Sequence, residues 1–328
     1  MAIIYTHTDN DGKCAGAIVY HELCSVFSEN KYHLYNYKGE LIKEDDDVLG
    51  EHEDRRVFIT DLSINDEIID LIHYYLEKGW KVLHFDHHTS TMTDPRREEL
   101  EHLEGLTTFY VEGISGCMIS WIFSCMSEED QKNPNRVQYD FSEGHTHVAL
   151  HTEDPSKVRE YRIPIAVRYI DDNDVWRHEH EETKYFAMGL TMEKYKNPFD
   201  EIWKDLLYSS TEIKTLEILQ KGEVIFEYQQ QQNENAVKYN AFVSKALDQE
   251  HECLCLNSIG GNSRLFGDKF AEYPVVCKFG YDGNEWFYTI YSNEQSPVDC
   301  AELAKRYGGG GHRHAAGFRT KKLIFEGE

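Results

Sequence analysis

Three short stretches hold the residues best suited to chemistry: His7-Thr8-Asp9-Asn10-Asp11-Gly12, Asp61, and Asp86-His87-His88. Together they offer four carboxylates and three imidazoles. Bare carboxylates at one edge repel each other, which raises their pKa values or splays the loops that carry them. A divalent cation removes that conflict, and two cations bridged by one carboxylate remove it better. Mixed Asp/His ligation suits Mn²⁺, Fe²⁺ or Zn²⁺ more than Ca²⁺, which prefers oxygen alone. No cysteine accompanies the set, which argues against a structural zinc site. An aspartate at a strand end is also an ordinary helix N-cap. Capping explains Asp61 alone, but it does not explain all three stretches together. The other histidines, such as His73, His102, His145, His147, His151, His178 and His180, read as surface or hydrogen-bonded residues.

Each stretch follows an apolar run. Ala2–Tyr5, Val57–Ile59 and Lys81–Phe85 read as strands. Between them lie helical repeats: Ala15, Val19, Leu23 and Val26 after Gly12, then Ile68, Ile69, Ile72, Tyr75 and Leu76, ended near Gly79. Strands alternating with helices predict an α/β, doubly wound, mainly parallel sheet, with a smaller α/β domain after it. Ligands of such sheets sit at the carboxyl ends of the strands, where the three stretches fall. Gly12-Lys13-Cys14 lacks the P-loop frame, so Gly12 is expected to permit a tight turn and Lys13 to face solvent.

Two further stretches carry polar groups. Asp171-Asp172-Asn173-Asp174 follows the apolar run Ile163–Ile170, and any of its aspartates suits a metal shell. Near the other end, Pro297–Tyr307 reads as a helix with Ser296 as N-cap, ended by Gly308-Gly309-Gly310-Gly311-His312-Arg313-His314. Consecutive glycines let backbone N–H groups converge on an anion, and His312 and Arg313 add donors for phosphate.

The chain has 328 residues, enough for two domains. The sequence divides it into a first domain over 1–210, a helical connector over 211–247 and a second domain over 248–328. A polar insertion spans about 128–162 and includes Asn133-Pro134-Asn135 and Glu153-Asp154-Pro155. Formal net charge is −25, and residues 236–328 hold 11 Lys/Arg against 12 Asp/Glu, so the acidity lies almost wholly before them. Such a chain repels long polyanions and lacks the basic face that coats duplex DNA. It has no apolar run of membrane-spanning length and no basic n-region at its start. Its eight cysteines read as reduced, mostly buried thiols. These features place it in the cytoplasm, away from membranes.

As a set, these motifs resemble the DHH phosphoesterase superfamily with its DHH-associated C-terminal domain, a group that includes RecJ-type exonucleases and short-oligonucleotide phosphodiesterases. Residues 7–12 are similar to its first motif, Asp61 to the second, Asp86-His87-His88 to the third, the Asp172 region to the fourth, and Gly308–Gly317 to the C-terminal glycine motif. The resemblance implies two metal ions, usually Mn²⁺, with Mg²⁺, Fe²⁺ or Co²⁺ as substitutes. His7, Asp9 and Asp61 would hold one ion, and Asp11, Asp61, His87 and Asp172 the other, with Asp171 and Asp174 competing for the last place. Asp86 would orient the third motif. His88 would act on the phosphoryl group as acid or electrostatic stabiliser. Gly308–Gly311, His312 and Arg313 would bind the substrate's phosphate or terminal nucleotide.

The implied activity is metal-dependent hydrolysis of short oligonucleotides or dinucleotides, with water activated between two ions. The resemblance admits a homodimer. Two alternatives stand beside it: a pyrophosphatase- or exopolyphosphatase-like phosphoanhydride hydrolase, and a nucleotide-binding sensor without turnover. Phe266 or Tyr281 stacking a base would favour the nucleotide readings.

Overall fold

The structure, a computed structural model, describes residues 1–38, 41–44, 54–151, 158–195 and 197–325. It divides into two units, Met1–Val224 and Ile225–Glu328. None of the described helices is long and apolar enough to cross a membrane.

The first unit opens with β1 (Ala2–His7), α1 (Asn10–Ile18), β2 (Asn30–Tyr35), β3 (Arg56–Thr60), α2 (Asp66–Glu77) and β4 (Lys81–Asp86). Two short helices follow, α3 (Thr89–Thr93) and α4 (Arg97–Leu100), and then β5 (Leu106–Tyr110) and α5 (Gly116–Cys125). The five strands form one parallel sheet in the order β2-β1-β3-β4-β5. Side chains alternate across it, as a period of two requires. Ile4, Phe58 and Phe85 join the core under α1 and α5, whereas Ile3, Ile59 and Val82 join the core under α2. Both faces are therefore covered, which is why these strands read as continuous apolar runs. In α2, Ile68, Leu71, Ile72 and Tyr75 form the buried stripe, and Asn65 caps it by accepting the Ile68 N–H at 2.9 Å.

The helix after Gly12 is shorter than its repeat predicts. Past Ile18 the backbone widens into a π turn over Val19–Leu23, and Val26 is 80% exposed. Lys13 lies 5.0 Å over the Tyr195 ring instead of facing water freely.

The polar insertion carries β6 (Gln138–Phe141), β7 (His147–His151) and β8 (Arg159–Arg162), an antiparallel three-stranded sheet. Val148 and Leu150 of β7 are buried in the core of the first unit, so the insertion is packed and not a loose loop. Its Glu153-Asp154-Pro155 stretch lies outside the described residues. The unit continues through α6 (Ile165–Asp174), α7 (Thr183–Leu190) and α8 (Glu201–Tyr208).

A long helix, α9 (Ile213–Asn240), follows, and the division between the two units falls within it. The second unit contains β9 (Phe242–Ser244), β10 (Cys253–Asn257), α10 (Lys269–Glu272), β11 (Val275–Tyr281), β12 (Trp286–Tyr291), α11 (Cys300–Lys305), β13 (Gly310–His312) and β14 (Ala315–Thr320). Its sheet runs β13-β14-β12-β11-β10-β9. Here the expected helix start moves. Asp299, not Ser296, caps α11 by accepting the Glu302 N–H, and Ser296 instead donates to the Pro274 carbonyl at 2.5 Å. Gly308 ends that segment with φ +78°, a conformation suited to glycine. The cysteines are all free, and seven of the eight are buried.

Candidate metal centre

The carboxyl ends of β1, β3 and β4 meet at one edge of the parallel sheet, and their side chains converge there. Asp9 caps α1: its Oδ1 accepts the Gly12 N–H at 2.9 Å, and its Oδ2 lies 2.6 Å from His7 Nδ1. A Cβ on Gly12 would stand 2.6 Å from the His7 carbonyl oxygen, so glycine is what lets this turn close. His7 Nδ1 is also 3.9 Å from Asp61 Oδ2.

Asp61 sits at the centre of the group. It follows β3 directly, adopts φ +57°, and donates its N–H to the Phe85 carbonyl at 2.9 Å. A left-handed backbone is uncommon outside glycine and concentrates at functional positions. The side chain is buried; Oδ1 lies 3.1 Å from His87 Nε2, and Oδ2 has no hydrogen-bond partner. An orphaned buried carboxylate oxygen is costly unless something else satisfies it.

His87 is the hub of the second ligand group. Its Nε2 stands 3.1 Å from Asp61, 3.5 Å from Asp174 and 3.8 Å from Asp11. Asp11 is held from behind by the start of α5: its oxygens accept the Gly116 N–H at 2.7 Å and the Cys117 N–H at 2.9 Å. A Cβ on Gly116 would stand 2.7 Å from Asp61 Cβ and 3.0 Å from Asp11 Oδ2. Only glycine lets α5 approach both aspartates. Ligand atoms within 4.8 Å of one another group as His7/Asp9/Asp61, Asp11/His87/Asp174 and Asp61/His87/His88.

The electrostatics show the strain of this gathering. Burial first, then Asp11, Asp9, Asp86 and Asp174, push the Asp61 carboxyl well above the usual range. Asp174 is pushed up to about 8 by burial and by Asp11 and Asp9. Asp9 goes the other way: burial opposes ionisation, but bonds from His7 and Gly12 outweigh it and hold the group below its ordinary value.

Asp86 and His88 also pair with each other. Asp86 is fully buried; Oδ1 lies 2.8 Å from His88 Nδ1, and Oδ2 accepts from Thr91 Oγ1 at 2.5 Å. Burial lowers the His88 pKa, but the bond and charge of Asp86 outweigh it and leave it raised. With Nδ1 turned to Asp86, Nε2 is the ring nitrogen left to face a ligand.

The fourth acidic stretch needs a correction. Asp172 does not face the cluster. Its carboxylate turns towards α7, accepting the Glu179 N–H at 2.9 Å, the His180 N–H at 3.2 Å and Thr183 Oγ1–H at 2.5 Å. Asp174 takes the position beside His87. Asp171 accepts the Ser115 N–H at 2.7 Å and pairs with Arg177, so it fixes the turn that leads into α5. His145, from the insertion, stacks on Phe141 and lies 3.7 Å from Asp171.

Sequence reasoning also missed Ser115, Gly116 and Cys117. The signal was present: a serine N-cap and glycine before the apolar run Cys117–Phe123 mark a helix start able to hold a carboxylate.

In the second unit, Gly309 donates its N–H to the Ala304 carbonyl at 3.0 Å, and Gly310 and His312 pair with β14 opposite Gly317 and Ala315. Gly310, Gly311, His312 and Arg313 are exposed, and Arg313 lies 3.8 Å from Asp299. Phe266 is buried in a core and has no face to offer a base, whereas Tyr281 is exposed.

No family model matches the chain. A curated relative, the uncharacterised protein R106 of Acanthamoeba polyphaga mimivirus, is 24% identical over 162 residues, covering 47% of this chain and 37% of the relative. The match thus spans little more than a third of that protein's length. Among solved structures, the DHH domain of a protein described as a member of a ribosomal-protein family aligns over 96% of this chain and 82% of its own, with 14% identity and a TM-score of 0.53. A pGpG-specific phosphodiesterase, PggH of Vibrio cholerae, aligns over 98% and 94%, with 13% identity and a TM-score of 0.47. RecJ of Thermus thermophilus in complex with Mn²⁺ aligns over 97% and 49%, with 14% identity and a TM-score of 0.44. The chain therefore shares the fold of that DHH domain.

Proposed function

We propose that the chain is a divalent-metal-dependent phosphodiesterase acting on short oligonucleotides or dinucleotides. The observation that carries the reading is Asp61: a buried carboxylate with an unpartnered oxygen, a raised pKa, and imidazoles and carboxylates from three other segments around it. That donor set fits Mn²⁺ or a similar ion in number and kind. His7, Asp9 and Asp61 would hold one ion and Asp11, His87 and Asp174 a second, with Asp61 between them. Such ions supply positive charge for the phosphoryl oxygens and make the attacking water acidic enough to ionise near neutrality.

The chain's own groups do the remaining work. Asp11 is locked by two α5 N–H groups, so its orientation is fixed before any substrate arrives. Asp86 raises the His88 pKa and occupies Nδ1, which leaves Nε2 to stabilise charge on the phosphoryl group or to protonate the departing oxygen. Net charge of −25 disfavours long polyanions and leaves short substrates as the better fit.

The test is a panel of 5′-phosphorylated mono-, di- and oligonucleotides and pyrophosphate, assayed with Mn²⁺ and with chelator. The expected result is Mn²⁺-dependent release of mononucleotide from the dinucleotide, exceeding phosphate release from pyrophosphate. Faster cleavage of pyrophosphate, or turnover that survives chelation, would contradict the proposal.

A further inference from the structure

We infer that a cavity beside Asp174 is the base subsite of the substrate, that it takes a pyrimidine, and that Asn173 reads the base edge. The inference rests on the phosphodiesterase reading and deepens it. The cavity lies within the first unit, between the start of α1 and helices α6 and α7, and measures about 120 Å³. Asp9, Asp11 and Asp174 form one wall, so an occupant lies next to the carboxylates that would hold the ions. Folded interiors keep few voids larger than a water molecule, so a space of this size beside a reactive centre asks for an occupant.

The lining selects against phosphate. Among the described residues, no lysine, arginine or histidine borders the cavity, whereas three carboxylates do. The opposite wall is largely apolar, with Tyr169 from α6 and Phe186, Ala187 and Leu190 from α7. An uncharged planar group fits between these walls, and in a nucleotide that group is the base. Size narrows the choice. A cavity of roughly 150 Å³ takes one benzene ring, so this one admits a six-membered ring and not the fused pair of a purine.

Helix α6 supplies the two groups a base needs. Tyr169 and Asn173 are four residues apart and share a face of the helix. The Tyr169 ring is braced by Phe186, with centroids 5.5 Å apart at 42°, and by His180, edge-on at 5.8 Å and 77°. It therefore forms a fixed aromatic wall. Asn173 is half-buried and lines the same cavity. Its acidic neighbours all have partners inside the protein. Asp171 holds the Ser115 N–H, Asp172 holds the Glu179 and His180 N–H groups, and Asp174 stands 3.5 Å from His87. The Asn173 carboxamide has no hydrogen-bond partner among the described residues. It offers a donor and an acceptor side by side, which match N3 and the adjoining exocyclic group of uracil or cytosine.

The test compares wild type, Asn173→Ala and Ala187→Leu on the dinucleotides pUpU and pApA and on a dinucleotide analogue lacking both bases. In wild type, KM for pUpU should lie about fivefold or more below that for pApA. Removing the carboxamide, or filling the cavity with leucine, should raise KM for pUpU about fivefold or more at nearly unchanged kcat, as loss of uniform binding requires. KM for the base-free analogue and Mn²⁺ content by elemental analysis should stay at wild-type values, and Asn173→Ala should melt no lower than wild type. Should Ala187→Leu fail to fold, Asn173→Ala decides alone. Equal KM for pUpU and pApA in wild type, an unchanged KM for pUpU in Asn173→Ala, or an equal rise for the base-free analogue would overturn the inference. If wild type hydrolyses neither dinucleotide, calorimetric Kd values decide. A Kd for pUpU that Asn173→Ala weakens then supports the subsite while refuting hydrolysis, and equal Kd values, or no binding by wild type, refute the subsite as well.

Discussion

Replacing Asp174 by asparagine should make the metal-free protein more stable at pH 8, not less. The side chain keeps its shape and loses a charge that the fold opposes. Burial and the neighbouring Asp11 and Asp9 raise its pKa from 3.8 to about 8. Between those values the folded state holds a proton that the unfolded chain has released, so stability falls as pH rises through the interval. At about 1.4 kcal/mol per pH unit the whole interval is worth roughly 6 kcal/mol. The shift is coupled to neighbouring charge and the Asp174 side chain is 27% exposed, so about a third, ~2 kcal/mol, is the reasonable share of this residue. For a unit of this size that is ~4–8 °C in Tm. Calorimetric scans in chelator should therefore place Asp174→Asn above wild type by that margin at pH 8 and close to it at pH 4. Mn²⁺ should reverse the order, raising wild type by about 3 kcal/mol at a hundredfold excess over Kd and the variant by much less. A chelated variant that melts at or below wild type at pH 8, or a gain independent of pH, would refute the reasoning.

Other substitutions separate the roles of neighbouring residues. Asp172→Ala should cost about 1–3 kcal/mol by stranding the Glu179 and His180 N–H groups, yet leave Mn²⁺ content unchanged by elemental analysis. His88→Gln should lower kcat by roughly 10²–10⁴ while Mn²⁺ stoichiometry holds; loss of metal would make His88 a ligand instead. Gly116→Ala forces a Cβ against Asp61 and Asp11. It should weaken Mn²⁺ binding about tenfold or more by titration, and an unchanged affinity would show that the α5 approach does not matter.

Much of the first unit was legible because its signals are local. Apolar runs of strand length, each ending in charged or polar residues, located β1, β3 and β4 and the aspartates and histidines after them. The fourth acidic stretch was harder because three aspartates lie within four residues. Helix geometry would have helped: Asp171 and Asp174 are three apart and share a face of α6, whereas Asp172 lies about 100° round it. The first two indeed turn towards the α5 turn and His87, and the third towards α7. The support of Asp11 by Gly116 and Cys117 joins residues more than a hundred positions apart, and no local pattern reports such a contact. The insertion gave a mixed signal for a related reason. Its strands are short and polar on one side, and only Val148 and Leu150 tie β7 to the core.

In the proposed site Asp61 would stand between the two ions, and Mn²⁺ titration calorimetry of wild type against Asp61→Asn tests that role most directly. Wild type should bind Mn²⁺ tightly, and the variant, folded and melting no lower than wild type in chelator, should lose that binding. An Asp61→Asn protein that takes up Mn²⁺ with wild-type stoichiometry and affinity would contradict the account.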